Sequence, residues 1–109
     1  MNKAQKIADQ IDPKLTKEYL DVIRRSTCYK THTAEETIQD IMDFKPPFNY
    51  YIKLIEEEKK EIAKNKRIIN NSRTKLSTKN KARTKRCLAE CRLTIYKYYS
   101  EVTKLLEQY

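Results

Sequence analysis

Glycine is missing from all 109 residues of the chain. Phosphate-cradling loops, dinucleotide fingerprints and nucleophile elbows need it, because their backbones take positive φ or approach a ligand closely. A P-loop or a GxGxxG site is therefore excluded on stereochemical grounds. Tight two-residue β-hairpins are also hard to build without it. Tryptophan is absent too, and there are only three prolines. What remains is an all-α chain.

Long apolar runs are equally lacking. No stretch approaches the ~18 apolar residues of a membrane span. The first residues, Met1-Asn2-Lys3-Ala4-Gln5-Lys6-Ile7-Ala8-Asp9, have no apolar core of the secretory-signal kind. These features predict a cytoplasmic protein with no membrane partner. The three cysteines, an odd number, are expected as reduced thiols.

What is present is helical periodicity and charge. Charged residues make up 36% of the chain, a proportion that would favour disorder if the apolar residues were not so regularly spaced. Ala4, Ile7, Ala8 and Ile11 predict a short helix over residues 2–11. Asp12-Pro13 ends it and caps a second, with Leu15, Tyr19, Val22 and Ile23 inward, reaching about Ser26. Thr33-Ala34-Glu35-Glu36 is a capping box that opens a third helix, carrying Ile38, Ile41 and Met42 inward. Lys45-Pro46-Pro47 stops that helix.

Beyond the prolines the period lengthens. Phe48, Ile55, Ile62 and Ile69 recur by sevens and predict a helix of more than ~20 residues, with Asn70-Asn71-Ser72 as its stop and a left-handed asparagine cap. A last helix starts near Ser77–Asn80. Its apolar series Leu88, Cys91, Ile95, Tyr98, Val102, Leu105 and Tyr109 reads as a coiled-coil seam. Two long helices with a short polar connection fold back antiparallel. That pairs Ile69 with Lys81, Ile62 with Leu88, Ile55 with Ile95 and Phe48 with Val102. The expected architecture is one helical domain over 1–109. Three short N-terminal helices (1–45) pack on a long antiparallel helical hairpin (48–109). The same seam would serve a homodimer.

Charge is strongly segregated. Residues 1–45 carry eight bases and eight acids, residues 46–63 three and four, and residues 87–109 three of each. Residues 64–86 carry Lys64, Lys66, Arg67, Arg73, Lys75, Lys79, Lys81, Arg83, Lys85 and Arg86 with no acid, which places the whole net charge of +9 at the hairpin tip. Ten like charges repel, so such clustering opposes compact folding. Nucleic acid is the commonest polyanion, and Lys and Arg supply phosphate affinity by releasing counterions. An acidic protein surface fits the charge as well. The eight tyrosines lie elsewhere: Tyr50, Tyr51, Tyr96, Tyr98, Tyr99 and Tyr109 at the hairpin base, Tyr19 and Tyr29 in the N-terminal helices. With no ring between residues 64 and 86, the tip is expected to track the backbone of duplex DNA or folded RNA, not to stack single-stranded bases.

Other chemistry has weaker signals. Cys28-x3-His32 and Cys87-x3-Cys91 are zinc-ligand types at spacings longer than most compact knuckles, so no metal is expected. Arg25 to His32 loosely resembles the Arg-x4–6-His pattern of HEPN-type ribonucleases, in which the arginine and histidine act on the RNA phosphodiester. That resemblance covers two residues, and His32 reads as an ordinary loop histidine. Glu36, Asp40 and Asp43 share a helix and read as a solvated face, not as a metal site for hydrolysis. With Glu35 they also make that helix unfit to recognise DNA in a helix-turn-helix. No cofactor motif occurs. The leading expectation is a non-enzymatic nucleic-acid-binding accessory protein, and the alternative is a protein-protein adaptor or inhibitor using the basic tip or the tyrosine-rich base. Abundant Lys, Ile, Asn and Tyr without Gly or Trp suits an AT-rich genome. A small viral or mobile-element protein would fit either expectation.

Overall fold

The computed structural model describes residues 2–25, 31–47 and 49–108. Ser26, Cys28, Tyr29, Phe48 and Tyr109, on which parts of the preceding reading fall, lie outside the described residues. Within them are five helices and no strand: α1 (Lys3–Gln10), α2 (Pro13–Arg24), α3 (Ala34–Phe44), α4 (Tyr50–Asn70) and α5 (Leu76–Leu106).

α2 and α3 start at the expected caps, Asp12 and Thr33, and α1 starts at Asn2, a cap not among those expected. Asn2 Oδ1 accepts from the Gln5 N–H at 2.8 Å, and Asp12 Oδ1 accepts from the Lys14 N–H at 2.9 Å ahead of Pro13. Thr33 Oγ1 accepts from the Glu36 N–H at 3.3 Å, which is half of the predicted capping box. The other half differs. The Glu36 carboxylate takes the Thr33 hydroxyl and the His32 ring instead of the Thr33 amide.

Two left-handed residues mark the passage from α3 to α4. Lys45 has φ 52° and Asn49 has φ 64°. Lys45 closes α3 by donating its N–H to the Ile41 carbonyl at 3.0 Å, the bond a glycine would normally make in this position. The predicted left-handed asparagine cap at the end of α4 does not form. Asn71 is extended, with φ −81° and ψ 113°. Its side chain instead accepts from the Arg73 N–H at 3.0 Å, turning the five-residue connection 71–75 by an Asx bond.

α5 presents two different faces. Tyr51 opposite Tyr99 and Glu58 opposite Arg92 keep the expected register along α4 and α5, but the face of α5 that α4 covers is not the expected one. Tyr98 and Val102 are fully buried and share one core with Ala4, Ile7 and Ile11 of the N-terminal segment, Tyr19 of α2, and Ile38 and Ile41 of α3. Ile95 and Leu105 pack against that same core. The predicted seam thus meets the N-terminal helices, not α4. α4 packs on another strip of α5, roughly a third of a turn around the helix. Tyr51 meets Tyr99 with ring centroids 5.2 Å apart, and Glu58 Oε1 accepts from Arg92 Nε at 2.8 Å. Ala82 and Ala89, 3% and 0% exposed, lie on that side. Leu88, at the end of the seam that α1–α3 do not cover, is 53% exposed. Ile55, Ile62 and Ile69 are only half-buried, because two polar side chains, Glu58 and Asn65, share the α4 contact face.

The consequence is a molecule of uneven thickness, 56 × 29 × 22 Å in extent. One end holds the apolar core of α1, α2, α3 and the later turns of α5. Toward the 71–75 connection only α4 and α5 continue among the described residues, in contact through alanine and asparagine.

Candidate functional site

The ten basic residues occupy that thin end. Lys64, Lys66 and Arg67 lie in the last turns of α4, Arg73 in the connection and Lys75 at the N-cap of α5. Lys79, Lys81, Arg83, Lys85 and Arg86 lie in the first turns of α5. Lys79 and Arg86 are half-buried, and the other eight are exposed. Among the described residues only Arg86 meets a carboxylate, with its Nε 3.1 Å from Glu90 Oε1. Arg83 Nη1 donates to Asn80 Oδ1 at 2.8 Å, which steadies the guanidinium without neutralising it.

Helix geometry distributes these charges around the thin end. At 100° per residue, Lys64 and Lys66 project to either side of buried Asn65. Around buried Ala82, Lys79 and Arg83 fall on one flank of α5 while Lys81 and Lys85 fall on the other.

One feature of this end is not legible in charge counting. The N-cap of α5 is Lys75, whose side chain cannot accept a hydrogen bond, and the first turn of α5 holds no acid. The amide donors of that turn therefore have no side-chain cap among the described residues and point toward the connection. Their partial positive charge adds to that of Arg73, Lys75 and Lys79, although the carbonyl end of α4 beside it acts in the opposite sense.

The other end of the molecule collects the rings. Phe44, Tyr50, Tyr51, Tyr99, Tyr19 and Tyr98 form a continuous chain with successive centroids between 4.2 and 5.9 Å apart. Burial holds the phenol of Tyr51 un-ionised, pushing its pKa up to about 12, with Tyr99, Tyr50 and Tyr96 adding to the effect. Tyr19 is raised further, again by burial first. Tyr98 lies 22 residues beyond the start of α5, ~33 Å along the axis from the basic end.

His32 is better connected than its loop position suggests. Its Nε2 is 2.6 Å from the Thr37 hydroxyl, which is also 2.7 Å from the Tyr19 hydroxyl, and its Nδ1 is 3.3 Å from Glu36 Oε2. Arg24, not Arg25, reaches His32, and it does so at the backbone carbonyl through Nε and Nη2 at 3.2 and 3.1 Å. With Thr37 only 2% exposed, this chain of polar contacts fastens α2 to α3. Thr37 gave no sequence signal, since a lone threonine inside a helix is unremarkable until a buried tyrosine needs its oxygen.

The remaining candidates do not converge. Cys87 is exposed, and Cys91 is half-buried with its thiol pKa raised by burial and by Cys87. No group of three or more His, Cys, Asp or Glu that could hold a metal occurs among the described residues. Nor, among them, is any helix long and apolar enough to cross a membrane. No family model, curated protein or solved structure matches the chain.

Proposed function

We propose that the protein is a non-enzymatic accessory protein that binds nucleic acid, gripping phosphates with the basic tip of an antiparallel hairpin formed by α4 and α5. The carrying observation is the concentration of ten cations and no acid within residues 64–86, with a single carboxylate partner, Glu90, at the edge of the cluster. Like charges packed this densely, only Arg86 among them paired with a carboxylate among the described residues, destabilise the thinnest part of the fold, and a polyanion removes that repulsion. Phosphate contacts of this kind release counterions and supply affinity largely independent of sequence. The described tyrosines lie far from the tip and are mostly engaged with one another, which supports backbone contact in preference to base stacking. The test is fluorescence anisotropy of labelled duplex DNA, single-stranded DNA and folded RNA across a range of salt. It is run for the native chain and for the variant R73E/K79E/R83E/R86E. A salt slope reporting about four or more phosphate contacts, lost in the variant, supports the reading. Binding weaker than ~10⁻⁴ M for every ligand at physiological salt, below the usual range for non-specific binding, rejects it.

A second reading rests on the opposite end. Phe44, Tyr50 and Ile52 are 58%, 40% and 46% exposed. Tyr50 and Ile52 border a groove of about 680 Å³ also lined by Met42, Tyr51 and Leu106. Exposed rings beside an apolar groove suit a protein partner, so an adaptor or inhibitor docking this base is the alternative. Loss of partner capture on F44A/I52A, with nucleic-acid binding absent, would favour it.

A further inference from the structure

The distribution of charge around the tip says more about the partner than its amount. Ala82 and Ala89 are buried on the side of α5 that meets α4. Relative to Ala82, the pair Lys79 and Arg83 and the pair Lys81 and Lys85 are each spaced i, i+4, and they point about 80° to either side. On α4, Lys64 and Lys66 straddle Asn65, which is 1% exposed, in the same manner. Both broad flanks of the tip are therefore basic, and the connection between them adds Arg73 and Lys75. A flat anionic surface, whether a protein face or a lipid plane, can touch only one flank at a time. It would leave the other pair unneutralised. A partner that uses all of this charge has anionic walls on two opposed sides.

We infer that the tip enters the major groove of B-form duplex DNA end-on, with its two basic flanks against the two phosphate walls. This rests on the nucleic-acid reading above and narrows it to one structure. A helix with its side chains is ~10–12 Å across, and packed helices lie ~8–10 Å apart. The end of the helix pair is thus a slab ~10–12 Å thick and ~20 Å long. The major groove of B-DNA is ~12 Å wide and ~8.5 Å deep, which accepts the thin dimension. Measured along α5 from Leu76, Lys79 stands ~4.5 Å and Lys85 ~13.5 Å from the end. The two pairs therefore bracket the groove rim, where the phosphates run. The major groove of A-form RNA is too deep and narrow for a helix to enter. Single strands have no second wall.

The test compares the full chain on a short labelled DNA duplex, an RNA duplex of the same sequence and the matching single strand. The variants K79Q/R83Q and K81Q/K85Q each remove one flank, and circular dichroism checks that both keep native helicity. The expected result is at least tenfold tighter binding to the DNA duplex than to either other ligand. Each variant is expected to weaken binding to a similar degree and to lower the salt slope by about two, at ~0.9 per lost phosphate contact. Equal affinity for the RNA duplex, or loss confined to one flank while the other is neutral, overturns groove entry and leaves general nucleic-acid binding standing. Absence of binding to all three ligands overturns both.

Discussion

The rings of Tyr19 and Tyr98 lie parallel, 2° apart in plane with centroids at 4.2 Å, and bind α2 to α5 at the centre of the core. Their hydroxyls are in unequal positions. That of Tyr19 meets the Thr37 hydroxyl at 2.7 Å. That of Tyr98 is buried and, among the described residues, meets no partner at hydrogen-bond geometry; the Thr16 hydroxyl near it donates instead to the Asp12 carbonyl at 3.3 Å. Phenylalanine keeps the stacking at either position. Tyr98→Phe is therefore expected to be neutral or to stabilise by up to about 1 kcal/mol, whereas Tyr19→Phe costs about 1 kcal/mol. Urea unfolding midpoints of the two variants check the difference in sign.

The same burial sets a limit at high pH. The phenol pKa values of Tyr19, Tyr51 and Tyr98 are raised in the fold, that of Tyr51 to about 12 against an ordinary value of 10.0. The folded state thus holds protons that the unfolded chain releases. The stabilisation is complete below about pH 10 and declines as pH rises through the folded-state values. Melting temperature followed from pH 8 to 12 should fall steeply above pH 10, with tyrosinate absorbance appearing at unfolding. A flat profile would contradict the burial of these rings.

Close approach of α4 to α5 depends on small side chains. Ala89 is 0% exposed, and its neighbour Leu88 is 53% exposed. Ala89→Leu should therefore destabilise by about 1–3 kcal/mol through overpacking. Leu88→Ala should change stability by no more than about 0.5 kcal/mol. Thermal denaturation of the two would show the reverse order if Leu88 formed the seam with α4.

Lys45 adopts a left-handed conformation that costs a residue with a Cβ about 1 kcal/mol or more. Its N–H bond to Ile41 survives substitution by glycine. Lys45→Gly is expected to stabilise by about 0.5–1 kcal/mol, with Lys45→Ala close to neutral as the control. Chemical denaturation of both variants measures this directly.

Most of the local structure was legible before the fold. Asp12-Pro13 and Thr33-x-x-Glu36 mark helix starts because the donors they satisfy lie within three residues, and Lys45-Pro46-Pro47 marks a stop for an equally local reason. The basic cluster was legible because charge counting needs no fold. The partner of the α5 seam was not. Leu88, Cys91, Ile95, Tyr98, Val102 and Leu105 share a stripe on any helix, but a stripe does not name what covers it. The cover came from α1, α2 and α3, far away in the chain, and it ended before Leu88. Likewise Asn71 could take a left-handed cap or an extended Asx turn, and the backbone direction needed to reach α5 selected the second.

An all-helical chain, its main breaks and the location of its positive charge follow from local sequence, because propensity, capping and charge act over a few residues. Packing between distant segments selected which face of α5 each neighbour covers, brought His32, Thr37 and Tyr19 together, and turned the basic side chains to both flanks of a thin tip. Those outcomes depend on how α1, α2, α3 and α5 rotate about their axes as they share one small core, and on how α4 then packs along α5. That rotation is set by the sum of all side-chain volumes at the contacts, such as Ala82 and Ala89 against α4, and is written in no single segment.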